Sequence, residues 1–227
     1  MNEMQNAHLL LTFARDFFRG SLKSSNKTYS NIYGKASASR KQKRIANGGK
    51  AGYAIGALRA YGHASQGVKL LLASDQGQRA GNCCEYASIA LRQGVDLKIP
   101  NIWFARNNLH GFIILAEELP ASMLLDDFRH CTGNSFWVCD PWCNLFCEMH
   151  QFPMMIMAKA QKWTMEGKEI YLDNDRSIAL GIFWAYQLLQ TKIFFDRMTD
   201  STGKKTELYK KDFTLSWSAK LSRWWRS

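Results

Sequence analysis

The sequence predicts an α+β domain in which a helix that begins with a cysteine is followed by three short strands. Helical periodicity occupies residues 4–19, 51–61 and 68–72 and resumes at Cys83. Three short segments rich in β-branched and aromatic residues then follow, at 98–105, 111–116 and 135–140. The chain has 227 residues, 46% hydrophobic and 22% charged, which suits one domain with a sizeable core and excludes collagen-like, coiled-coil and wholly disordered chains.

Taken in order, Leu9, Leu10, Phe13 and Phe17 recur at helical spacing, and Gly20 stands where a C-terminal cap belongs. Residues 21–50 are rich in Ser, Asn, Lys and Gly, contain no acidic residue, and centre on Arg40-Lys41-Gln42-Lys43-Arg44. Such a composition buries too little apolar surface to offset its ordering entropy, so the segment reads as a flexible basic linker. Tyr53, Ile55, Leu58 and Tyr61, then Val68, Leu70, Leu71 and Leu72, mark two helices of the globular part. A turn over 74–81 leads into a helix from Cys83 that stops at Gly94. Pro153 suits the first turn of a helix running to Trp163. Ser177 to Phe195 reads as one long, mostly buried helix. The expected organisation is an N-terminal helix (1–20), a linker (21–50), a catalytic α+β unit (51–199) and a basic tail (200–227) carrying Trp217, Trp224 and Trp225.

The net charge of +11 is unevenly spread. Residues 1–50 hold ten Lys/Arg and two Asp/Glu, residues 51–199 hold thirteen and fourteen, and residues 200–227 hold seven and three. Attraction to polyanions is therefore expected of the ends, as a weak contact, and not of a groove in the core. No secretory signal is read at the N-terminus, and the apolar run Ile178 to Gln190 is shorter than the ~20 residues of a membrane span. The cysteines, six in all, are accordingly expected as reduced thiols in a reducing, cytoplasmic setting.

Gly81-Asn82-Cys83-Cys84-Glu85 delivers a thiol to a helix start, where unpaired N–H groups stabilise a thiolate and can receive an oxyanion. Helix register favours Cys83 as nucleophile over Cys84. His110 opens a strand and Asp140 closes another. If those strands pair antiparallel, the imidazole and carboxylate become neighbours, with His110, Phe112 and Ile114 on one face and Phe136, Val138 and Asp140 on one face. The roles follow: Cys83 attacks, His110 moves the proton and Asp140 orients the ring. Asn82 and Cys84 flank the nucleophile, Trp142 covers the His–Asp pair, and Gln76 and Gln78 stand equally as the side-chain oxyanion donor. Cys139, Cys143, Cys147 and His150 do not follow the usual zinc-ligand spacing, so no metal is expected, nor any other cofactor.

These motifs, in the order Gly81-x-Cys83-x-Glu85-x-Ala87, His110 and Asp140-Pro141-Trp142, resemble the set of the transglutaminase-like and papain-like cysteine hydrolase superfamily. The stretch Val138 to Asn144 and the helix ending in Lys162 to Lys168 are similar to small bacterial effector or toxin members. The resemblance covers about residues 75–170. It implies a papain-like core, in which the helix carrying the cysteine packs on an antiparallel sheet, and a thiol-dependent hydrolase or acyl transferase acting on a protein amide, as peptidase, glutamine deamidase or transglutaminase. It agrees with export into a host or target cell without a secretory signal. The contrasting expectation is a non-catalytic binding protein whose basic ends contact an acidic partner.

Overall fold

In the computed structural model, which describes residues 2–30, 34–60, 64–132, 135–171 and 178–214, the chain is 51% helix and 21% strand, with antiparallel sheets. The order is α1 (Glu3–Phe17), β1 (Lys27–Tyr29), α2 (Ala38–Ala60), α3 (Ala64–Ala73), α4 (Cys83–Asp96), β2 (Ile102–Arg106), β3 (Gly111–Leu115), β4 (Ser122–Leu124), β5 (Trp137–Asp140) and β6 (Leu145–Glu148). The chain continues through α5 (Phe152–Met165), β7 (Lys168–Tyr171), β8 (Ile178–Leu180), α6 (Gly181–Leu189), β9 (Lys192–Arg197) and α7 (Glu207–Thr214).

Six strands form the main sheet in the order β4-β9-β2-β3-β5-β6, and β1-β7-β8 form a smaller one. Strand β3 is buried along its whole length and lies between β2 and β5. Its run Phe112-Ile113-Ile114-Leu115 has no polar side chain because both faces are covered. Helix α4 packs on β3 and, on its other side, against α1 through Leu10 and the stacked rings of Phe18 and Tyr86, whose centroids are 3.9 Å apart. On the far side of the sheet, Phe112, Phe128 and Phe152 join the β3 core to α5.

Three expectations are corrected. Residues 21–50 supply β1, which pairs with β7 from Lys27 opposite Ile170 to Tyr29 opposite Lys168, and the first half of α2. Long-range bonds hold this stretch: Arg44 Nε donates to the Lys27 carbonyl at 2.7 Å, and Asn82 Oδ1 accepts from Ser24 Oγ at 2.8 Å and from the Ser25 N–H at 3.0 Å. The expected boundary at residue 51 consequently falls inside α2. The long helix over 177–195 is instead β8, α6 and β9, because Lys192–Arg197 alternates outward and inward and bonds to both β2 and β4. The start of the basic tail also carries structure, since α7 buries Tyr209; Trp217, Trp224 and Trp225 lie outside the described residues, as does Tyr61.

Candidate active site

Asn107 shapes the β2–β3 turn. Its Oδ1 accepts the N–H groups of Leu109 at 2.9 Å and His110 at 2.8 Å, and its own N–H donates to the His110 carbonyl at 3.0 Å. His110 is thereby held at the mouth of β3. Pairing of β3 with β5, with Ile113 opposite Cys139 and Leu115 opposite Trp137, brings the end of β5 alongside. His110 Nε2 and Asp140 Oδ2 are 2.7 Å apart, and both side chains are fully enclosed.

The residues around this pair set its chemistry. Burial on its own would raise the Asp140 carboxyl, but the charge and hydrogen bond of His110, with the Cys143 N–H donated to Oδ1 at 2.9 Å, hold it below the ordinary carboxylate range. An ionised carboxylate only accepts, so the hydrogen of a neutral imidazole sits on Nε2. His110 Nδ1 is buried and has no hydrogen-bond partner, which leaves its lone pair free for a proton. Trp142 and Trp184 cover the ring, each with its centroid 5.3 Å from that of His110.

Cys83 begins α4, and Cys84 follows it against Gly111, the residue after His110. A Cβ at Gly111 would stand 3.1 Å from Cys84 Sγ, so a glycine lets the helix start approach the strand this closely. The two thiols titrate unequally. The hydrogen bond to Cys84, together with burial, pushes Cys83 up, while the same bond lowers Cys84 with support from Arg59 and Arg106. Cys83 is buried with 9% of its surface exposed, His110 is 1% exposed and Asp140 not at all.

The structure thus brings His110 to Asp140 and sets Cys84, at the start of α4, against the next residue of the strand, with no hydrogen bond between Cys83 and His110 among the described residues. Of the supporting residues, Asn82 has its carbonyl oxygen engaged by residues 24–26, while its N–H donates to Glu85 Oε2 at 2.8 Å. Gln76 Nε2 donates to the Arg19 carbonyl at 2.7 Å, which ties that amide to the end of α1. Gln78 lies in the same short helical turn, Gln76–Gln78, and no hydrogen bond of its side chain distinguishes it as an oxyanion donor. Trp142 covers His110 and donates its Nε1 hydrogen to Ser24 Oγ at 3.1 Å.

Sequence reasoning missed Cys143 and Lys27. Cys143 Sγ is 3.9 Å from His110 Nε2, and its thiol is pushed well up, first by burial and then by Asp140. The turn Asp140-Pro141-Trp142-Cys143, with an acidic first residue and proline second, could have revealed the Asp140–Cys143 bond. Lys27, one lysine in a basic stretch, carried no such signal. Its ammonium donates to the Trp142 carbonyl at 2.9 Å, 3.3 Å above the Trp142 ring and 4.0 Å from the centre of Trp163, and burial lowers its pKa well below the usual value.

Among the described residues, His110, Asp140 and Cys143 form the group whose ligand atoms could converge on a metal. The 2.7 Å between nitrogen and oxygen is a hydrogen-bond distance. Two ligands of one tetrahedral zinc stand ~3.3 Å apart, from bonds of about 2.0 Å, so an ion would have to part the pair. The cysteines of the structure are free thiols, and burial drives Cys147 up to about 12. No helix among the described residues is long and apolar enough to cross a membrane. Neither a protein-family model, nor a curated protein, nor a solved structure matches the chain.

Proposed function

We propose that the protein is a thiol-dependent hydrolase or acyl transferase of transglutaminase-like or papain-like type that acts on a protein amide. One observation carries the reading: the buried His110–Asp140 pair commits Nε2 to the carboxylate and leaves Nδ1 without a hydrogen-bond partner among the described residues, at the mouth of the strand on which α4, the helix that begins with Cys83, packs. In this reading Nδ1 takes the Cys83 proton as sulfur attacks the amide carbonyl. A C–S bond forms, the C–N bond breaks, and the imidazolium returns the proton to the leaving nitrogen. Water then adds to the thioester with His110 again as base, releasing the acid and restoring the thiol; an amine in place of water gives a new amide. Asp140 stabilises the transient imidazolium and keeps its ring orientation. The helix N-terminus offers N–H groups to the developing oxyanion.

Limiting iodoacetamide with peptide mapping tests this assignment. Cys84, the more exposed thiol and the one whose pKa is lowered, is expected to alkylate first at neutral pH, and the base role of His110 is read on the slower alkylation of Cys83, which His110→Ala should slow at least tenfold, since the thiolate is the nucleophile. An alkylation rate that falls in His110→Ala at Cys84 and not at Cys83 would move the nucleophile by one residue; rates at both thiols indifferent to His110 would defeat the reading. Mass spectrometry of candidate substrates then separates the reactions, because glutamine converted to glutamate reports deamidation and new termini report proteolysis.

A further inference from the structure

The end of α1, residues 20–29, the first half of α2 and β7 enclose a cavity of about 420 Å³. Its walls carry Arg15, Lys23, Lys27, Arg40, Lys43 and Arg44, and Lys168 closes the far side. No Asp or Glu lines it among the described residues. The carboxylate nearest in bonding terms is Glu166, outside the lining, which pairs with Lys168 at 2.8 Å and Arg40 at 3.8 Å. Lys27 donates to the Trp142 carbonyl at 2.9 Å at the inner wall. Neither Lys23 nor Lys43 has an ion-pair partner among the described residues.

Seven cations in one concavity repel each other, and the effect is visible at Lys23, whose pKa is lowered by burial and then by Arg15, Arg44, Lys43 and Arg40. Unlike a surface stripe, these groups are held in place by the fold. Arg44 donates to the carbonyls of Lys27 and Ser24, Arg15 to that of Pro141 at 3.4 Å, and Lys27 to that of Trp142. The like charges are therefore preorganised at a cost that a multiply charged anion would remove. Ser24, Tyr29 and Asn47 add neutral donors to the same walls.

We infer that this cavity is a binding site for a small anion bearing several phosphate groups, clamped between the N-terminal segment and β7. The volume lies in the range of small-molecule sites, about 300–1,000 Å³. A duplex nucleic acid calls instead for a stripe or face of cations that tracks a backbone. Guanidinium groups of Arg15, Arg40 and Arg44 match phosphate oxygens in pairs, and the lysines supply point charges. The site is built from the very residues whose composition suggests a linker, and it ends on Trp142, the ring packed against His110.

Calorimetric titration of the full chain with inorganic tripolyphosphate in physiological salt tests the inference, with pyrophosphate and sulfate for comparison and thermal unfolding followed in parallel. Saturable one-to-one binding and a raised Tm are expected, with affinity in the order tripolyphosphate, pyrophosphate, sulfate. The double variant Lys23→Gln/Lys43→Gln removes two exposed cations without touching a bond that holds the fold, so it should unfold at or above the wild-type Tm without ligand. Its affinity for tripolyphosphate should fall roughly 10- to 100-fold, since each charged hydrogen bond lost is worth about a factor of ten. Vesicles carrying a phosphorylated inositol lipid distinguish two sources of the same chemistry: retention that tripolyphosphate displaces assigns the phosphates to a lipid headgroup, and no retention assigns them to a free solute. Absence of saturable binding, equal affinity in the double variant, or duplex DNA that binds and is not displaced by tripolyphosphate would overturn the inference.

Discussion

Replacing Asp140 by asparagine changes the side chain's charge and almost nothing of its shape, which isolates what the carboxylate does. Asp140 Oδ2 accepts from His110 Nε2 at 2.7 Å while Oδ1 accepts from the Cys143 N–H at 2.9 Å. Asparagine offers one acceptor and one donor for these two positions. With its oxygen kept on the Cys143 N–H, its NH₂ faces Nε2, and two donors cannot face each other, so the imidazole shifts its hydrogen to Nδ1. That nitrogen then has no lone pair with which to take a proton. A charge-assisted bond worth ~1.5–3 kcal/mol is exchanged for a neutral one worth ~0.5–1.5, a net cost of about 1–2 kcal/mol. At about 2–4 °C per kcal/mol for a chain of this size, Tm should drop by roughly 2–8 °C. Amide turnover should fall much further, on the order of the ten-thousandfold loss that a wrong tautomer causes in a serine protease triad. Long-range nitrogen–hydrogen NMR correlations of His110 read the tautomer directly, and alkylation of Cys83 at neutral pH reads the base. An Nε2-protonated ring with an undiminished alkylation rate in Asp140→Asn would refute the reasoning.

Other consequences follow from the same packing. Stability should decline as pH falls below about 4, the ordinary carboxyl range. Burial raises Asp140 and Glu85, but His110 and Cys143 outweigh it at Asp140, and Arg59 with the Asn82 N–H outweigh it at Glu85, so both titrate below their unfolded values. The unfolded chain then binds more protons through that window, and the stabilisation present above it is lost as the folded values are crossed; urea unfolding at pH 5 and pH 3 measures it, with a shallower decline expected in Asp140→Asn. Phe112→Ala should cost about 3–5 kcal/mol in urea unfolding, because the fully buried ring packs on Phe128 and Phe152 and leaves a cavity beside His110. Gly81→Ala should cost about 1–3 kcal/mol by crowding, since its Cβ would stand 2.8 Å from Glu85 Cβ and 2.9 Å from Phe18 Cζ at the entry to α4; equal unfolding midpoints for Gly81→Ala and wild type would show that the helix start moves freely.

The elements most legible in the sequence are those whose signals are local. The start of α4 at Cys83 follows from a glycine-led turn, and α5 runs Phe152–Met165 around the expected Pro153 start. Strands β2, β3 and β5 fall within or beside the expected segments because β-branched and aromatic residues suit a pleated, covered surface. Alternation alone puts His110 and Asp140 at one end of two strands that pair antiparallel, and the pairing of β3 with β5 meets that condition. The 177–195 stretch was not, because an unbroken apolar run carries no period; Ile193 and Phe195 point inward only because β2 and β4 flank them.

Composition and periodicity determined by themselves that the chain folds as α+β, that a thiol stands at a helix start, and that an imidazole opens one strand while a carboxylate ends another. Tertiary structure alone decided that the basic N-terminal stretch supplies β1 and the first half of α2, that Cys143 stands beside the His–Asp pair and Lys27 against Trp142, and that Cys83 makes no hydrogen bond to His110 among the described residues. The physical reason is range. Turn chemistry and amphipathic spacing act within a few residues, whereas the order of residues 21–50 depends on bonds to partners as distant in sequence as Asn82 and Trp142, which no local composition records.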